Sequence, residues 1–148
     1  MQKPKRVAVI GFDCPLPQVM ERYIAEGHLP NFQKVCEGGT FAENCLVPYP
    51  TITPPNWATI ATGATVGTHG VVDFWVPVPG KTPDSNHTVQ AFSSERVQAE
   101  YIWDAADRAG KKCIVLNYPG SWPNHMRNGI IIGGAGLGPI DNMDGRRE

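Results

Sequence analysis

The sequence predicts an α/β fold in which a mainly parallel sheet is flanked by helices. Two kinds of observation carry this. Val7-Ala8-Val9-Ile10 is an unbroken apolar run rather than an alternating one, as in a strand buried on both faces, and Lys112 to Tyr118 (KCIVLNY) repeats the pattern. Between them lie segments whose apolar residues recur at helical spacing, which gives the alternation of strands and helices that defines the class.

The first helix is predicted from Pro15 to Gly27, with proline suited to the first turn and Leu16, Val19, Met20, Tyr23 and Ile24 on one face. A shorter helix follows from Leu29 to Gly38, stopped by Gly38-Gly39, and Thr40 to Val47 carries strand propensity. After a proline-rich turn a helix is expected from Pro55 to Gly63. Phe74 to Ser94 has no period and reads as a long surface excursion of the kind that often carries function. The next helix is placed at Arg96 to Ala109, with Val97, Tyr101, Ile102 and Ala105 inward, and a short strand at Ile130 to Ile132. Gly133-Gly134-Ala135-Gly136 precedes no helical pattern, so it is no dinucleotide fingerprint.

With 148 residues the chain can bury one core, and 41% hydrophobic and 18% charged residues are ordinary for a globular protein. A net charge of −1 without a basic stripe argues against a nucleic-acid polymer as partner. The Lys3-Pro4-Lys5-Arg6 cluster reads as a solvated tail. The apolar run after it is too short for a signal-peptide core or a membrane span, so a cytoplasmic location and no membrane partner are expected. Cys14, Cys36, Cys45 and Cys113 form no CxxC pair, and the four histidines are scattered, so neither a zinc knuckle nor a disulfide framework is indicated. Asn86-His87-Thr88 fits a glycosylation sequon, which matters only in a secreted protein.

Two residues stand where chemistry could occur. Asp13 follows the first predicted strand, at the sheet edge where open α/β folds bind ligands. Thr53 lies just before two prolines and a helical pattern, at or near an N-cap. Its hydroxyl could cap the helix, or it could face outward at the positive helix end, where phosphate is stabilised. A carboxylate and a hydroxyl converging on one divalent cation would lower the hydroxyl's pKa and make a nucleophile.

Three blocks resemble the N-terminal part of the alkaline phosphatase superfamily, in its type I phosphodiesterase/nucleotide pyrophosphatase branch. They are VAVIGFD, then PTITPPNWATIATGATVGTHG, then IWDAADRAGKKCIVLNYPGSWP ahead of a glycine-rich strand. The resemblance implies a metal-dependent hydrolase of phosphate esters with two divalent ions, usually zinc. Thr53 would be the nucleophile and a metal ligand, Asp13 a second ligand of the same ion, and a small phosphate ester the substrate. It further implies that the whole chain, residues 1–148, is the first part of one catalytic domain. The family's remaining ligands, which include an Asp-His pair, lie downstream, and no Asp-His dipeptide occurs here. The fragment alone is therefore expected to be inactive.

One departure concerns substrate. Where nucleotide pyrophosphatases have an asparagine that donates to the phosphoryl oxygen, this chain has Phe74, which cannot donate. Asn56 is nearer to Thr53, with a structural role expected for it in the first helical turn. His69 belongs to a His-Gly element that shapes its loop and binds no metal in the family. Trp75 could stack a base or an aromatic leaving group, although packing is the commoner use. Alternative readings are a phosphomonoesterase, a phosphonate hydrolase, a phosphomutase, or a non-catalytic phosphate-binding or interaction fragment.

Overall fold

The computed structural model describes residues 6–42, 45–78, 80–82 and 87–133. Lys3, Pro4 and Lys5 of the basic cluster, Asn86 of the sequon and the run Gly134-Ala135-Gly136 lie outside them. The chain divides into two compact units, Met1–Leu46 and Val47–Glu148.

In the first unit the two predicted helices form, α1 at Pro17–Ala25 and α2 at Pro30–Gly38. Each begins on a proline, whose fixed φ suits a first turn and whose missing N–H costs nothing there. Gly27, at φ +78°, takes the left-handed turn that separates them. The rings of Phe12 and Phe32 meet at 5.5 Å between centroids.

The strand expected at Val7-Ala8-Val9-Ile10 is not formed. Residues 6–12 are irregular, and Val7 and Ile10 are 80% and 76% exposed. An apolar run supplies side chains for a buried strand but not the neighbouring strand that its amides require, and these residues bond to no described backbone. The same holds for the described part of Thr40 to Val47, which is also irregular.

The second unit opens on α3, Thr53–Thr62, closed by Gly63 at φ +66°, whose amide donates to the Thr59 carbonyl at 2.8 Å. A single turn, α4 at Val66–His69, follows and ends at Gly70, φ +78°. The segment expected to be a surface excursion is instead bounded by a hairpin: β1, Trp75–Pro77, pairs antiparallel with β2, Thr88–Gln90, and Val76 and Gln90 are buried. A 3-10 turn at Ser94–Arg96 leads towards α5, Ile102–Arg108. Then β3, Cys113–Leu116, pairs in parallel with β4, Gly129–Ile132, in the register Cys113 to Gly129 and Leu116 to Ile132. Among the described residues the sheets are thus one parallel and one antiparallel pair, not one mainly parallel sheet.

Two buried clusters form the core of this unit. One holds Ala61, Tyr101, Trp103, Val115 and Met126, the other Ala58, Val71, Val76 and Ala91, and Val97 packs against both. Ala58 and Ala61, three residues apart on one face of α3, therefore anchor the helix into both clusters.

The helix expected from Arg96 starts six residues later, and its inward face differs. The Gln98 amide donates to the His69 carbonyl at 2.9 Å, which takes residue 98 out of any helical ladder. Trp103 is buried, stacked on Tyr101 at 4.4 Å, while Ile102 is 59% exposed. The larger apolar area of an aromatic pair outweighs one isoleucine. On β3 and β4, Val115 is buried, whereas Ile114, Leu116, Ile130 and Ile132 stand exposed.

Gly129 is fixed by space, since a Cβ there would meet the Cys113 carbonyl and approach the Met126 methyl at 3.0 Å. Gly129→Ala should therefore cost about 1–3 kcal/mol through forced backbone shifts, read as a lowered thermal midpoint. Gly38→Ala, whose Cβ meets nothing within 4 Å, should leave the midpoint unchanged or slightly raised. Equal midpoints for the two variants would contradict the packing described.

Candidate active site

The start of α3 is shaped by an unusual run of residue types. Thr53 is the first helical residue and Ile52 the N-cap, with φ −120° and ψ 166° and no side-chain capping bond. The Thr53 hydroxyl, half-buried, bonds to no other described residue, so the capping role open to it in the sequence is not taken up. Pro54 and Pro55 come next, both buried and both without an N–H. Of the first three helical residues only Thr53 has an amide to offer.

The turn, which has no side-chain cap, is held by Asn56. Its side-chain amide donates to the Ile52 carbonyl at 2.7 Å and to the Pro50 carbonyl at 3.4 Å, while its backbone N–H reaches Ile52 only at 3.4 Å. Both side-chain donors point back along the chain, which is the structural role expected of this residue.

Further along, Thr59 of α3 meets His69 of α4. The ring is fully buried, with Nε2 3.0 Å from the Thr59 hydroxyl, and Nδ1 accepts the Val71 amide at 3.1 Å. An Nδ1 that accepts carries no proton, so the neutral ring carries its proton on Nε2 and donates to Thr59. Burial holds the imidazole pKa below its ordinary 6.5. A second tie comes from Tyr118, whose hydroxyl donates to the Trp57 carbonyl at 2.9 Å. This residue was not singled out in the sequence.

Asp13 lies in the first unit, exposed, in a bend followed by Cys14 at φ +50°. With no strand at Val7 to Ile10, it does not occupy a strand end. Its carboxylate and the Thr53 hydroxyl are hard oxygen donors of the kind that divalent cations take. They suit such an ion in kind but not in number, since a structural or catalytic zinc takes three or four protein ligands. Among the described residues no group of three or more His, Cys, Asp or Glu is placed to hold a metal. No described helix is long and apolar enough to cross a membrane.

A shallow cavity of about 710 Å³ opens beside α5, lined by Glu100, Asp104, Asp107, Arg108, His125 and Arg127 among others. Three of these side chains are committed to structure. Arg108 pairs with Glu100 at 2.9 Å, and the Asp107 carboxylate accepts the amides of Arg127 and Asn128. Neither Asp13 nor Thr53 lines it.

A sequence model described as type I phosphodiesterase/nucleotide pyrophosphatase matches residues 7–138, which hold both Asp13 and Thr53. The chain belongs to this family. The phosphodiesterase family fold is alkaline phosphatase-like α/β. Human ectonucleotide pyrophosphatase/phosphodiesterase family member 1 is 33% identical over 96 residues, covering 64% of this chain and 10% of that protein. An uncharacterized pyrophosphatase/phosphodiesterase of Schizosaccharomyces pombe is 30% identical over 106 residues, 67% of this chain and 21% of the relative. An ectonucleotide pyrophosphatase/phosphodiesterase of Caenorhabditis elegans is 28% identical over 119 residues, 80% and 16%. The chain thus spans a fifth or less of the length of two of these relatives and 21% of the third. No solved structure gives a significant match.

In this chain Phe74 is half-buried, with its ring edge-on to Phe92 at 5.8 Å, so the position is used for packing. Trp75 is 41% exposed on β1.

The His69 geometry sets a pH dependence. Its folded pKa is below 6.5, so as pH falls below 6.5 the unfolded chain takes up a proton before the folded one does. Stability is therefore lost on acidification from about 6.5 down to the lowered folded value. Chemical denaturation between pH 7.5 and 5 should show this loss, and His69→Gln should flatten it. Parallel pH profiles for the parent and the variant would show that His69 is not the group responsible.

Proposed function

We propose that this chain carries the nucleophile of a metal-dependent phosphodiesterase of the nucleotide pyrophosphatase type, and that Thr53 is that nucleophile. The observation that carries the reading is the state of the Thr53 side chain. It stands on the first turn of a helix fixed by Asn56, and it is engaged by no other described residue. The matched family and the names of the relatives support the reaction class.

In the proposed reaction Thr53 Oγ attacks phosphorus, the bond to the leaving oxygen breaks, and the threonine proton passes to solvent. Water then cleaves the phosphoryl–threonine ester, freeing the second product and the hydroxyl. Divalent ions, Zn²⁺ by the family resemblance, would lower the hydroxyl's pKa and offset charge on the phosphoryl oxygens. This chain would contribute Asp13 and Thr53 as donors, with the other ligands supplied by polypeptide beyond these residues. Under this reading the 148 residues alone are inactive.

The helix dipole and the Thr53 N–H favour an anion at this end of α3, but the prolines withhold the two amides that would follow. A phosphate held here without help from cations would have one backbone donor. That weakens the alternative of a stand-alone phosphate-binding module. Phe74, packed on Phe92, supplies no donor to a phosphoryl oxygen either.

The substrate class proposed is a small phosphate ester, with a diester preferred over a monoester. In the protein carrying its complete reading frame, Thr53→Ala should lower kcat on bis-p-nitrophenyl phosphate by at least about a thousandfold. Asp13→Asn should raise the concentration of zinc needed for half-activity. Full zinc-dependent turnover by Thr53→Ala would remove threonine from the nucleophile's role, and faster hydrolysis of p-nitrophenyl phosphate than of the diester would reverse the substrate preference.

A further inference from the structure

We propose that Tyr118 is a positioning residue for Thr53, setting the axial placement of α3 through its bond to the Trp57 carbonyl; the inference rests on the nucleophile reading above.

Asn117 adopts φ +52°, a left-handed conformation that asparagine tolerates better than most residues. Its amide still bonds the Ile132 carbonyl at 2.8 Å, so the parallel pair extends one residue past Leu116 before the chain turns. The turn delivers Tyr118 to the side of α3. There its hydroxyl donates to Trp57 O at 2.9 Å, and its ring meets the Trp57 ring edge-on at 5.0 Å. On the other side Trp103 closes at 5.1 Å and is itself stacked on Tyr101, whose hydroxyl donates to the Gly120 carbonyl at 2.7 Å. One hydroxyl bond and two ring contacts thus fix the phenol ring, and Trp103 is braced in turn by Tyr101.

The residue bonded matters as much as the bond. Trp57 is four residues after Thr53, one helical turn, so a displacement at Trp57 is passed to Thr53 along the helix axis. The turn between them has no side-chain cap of its own. Asn56 holds that turn to the preceding chain, and Tyr118 ties it to the sheet. Burial pushes the Tyr118 phenol well above its ordinary pKa, so it remains a donor at neutral and mildly alkaline pH.

The test uses Tyr118→Phe in the protein carrying its complete reading frame, with Thr53→Ala beside it and a methyl-labelled Thr53 followed by NMR. Removing one hydroxyl while keeping the ring should lower kcat on bis-p-nitrophenyl phosphate roughly tenfold or more, because small displacements of a reacting group are costly. KM should stay within about twofold, and the Thr53 methyl resonance should shift. Rates are compared at a temperature below both thermal midpoints, so a lowered midpoint does not mimic the effect. Unchanged kcat with an unmoved methyl resonance in Tyr118→Phe overturns the proposal. If Thr53→Ala stays active the nucleophile reading falls, and the methyl resonance alone still decides whether Tyr118 places Thr53.

Discussion

α3 begins Thr-Pro-Pro without a side-chain cap, and the contacts that place its first turn come from elsewhere in the second unit. Isolated helices of ten residues are marginal in water because nucleation fixes several dihedral angles for one hydrogen bond. Here no side chain caps the first turn, so its position comes from bonds made by other side chains. Asn56 reaches back to Ile52 and Pro50, Tyr118 reaches across to Trp57, and the buried His69 bonds Thr59. Ala58 and Ala61 then seat the same helix in both core clusters. The prolines bring a compensating stiffness, since their fixed φ lowers the entropy of the unfolded turn.

The three ties differ in chemistry, and so in what disturbs them. The Asn56 bonds are neutral and local. Tyr118 is a donor until very alkaline pH, because burial disfavours its phenolate. His69 is the one that answers to acid, its imidazole held below the ordinary pKa by burial, and a second proton on its ring would set an N–H against the Val71 amide. Gln98, bonded to the His69 carbonyl, and Gly70, whose missing Cβ leaves space for the Gln98 side chain, belong to the same joint.

Local signals in the sequence are informative where they are self-contained. A proline start and a glycine stop define α1, α2 and α3 within about two residues, because capping depends on the residue present and not on a distant partner. Strands need a partner. Val7 to Ile10 has the composition of a buried strand and yet stands exposed, whereas the equally apolar Cys113–Leu116 finds Gly129–Ile132 and forms. The short hairpin of β1 and β2 was hidden among prolines and glycines. At α5 the aliphatic pattern pointed to Ile102, while the ring stacking that buries Trp103 has no period to detect. Thr53 and Asp13 were legible through their blocks, and Asn56 through its place in the first turn. Tyr118 was not, since its role comes from a left-handed asparagine and a carbonyl sixty-one residues away; an asparagine ending an apolar run was the available clue.

The account rests on Thr53 Oγ forming a bond to phosphorus. The most direct measurement is acid quenching of the complete enzyme during turnover of a phosphodiester, followed by mass spectrometry of the peptide containing residues 51–62. The account predicts a phosphoryl adduct on Thr53 that appears within one turnover and decays with product release. Turnover without any adduct there, or an adduct on another residue, would contradict it.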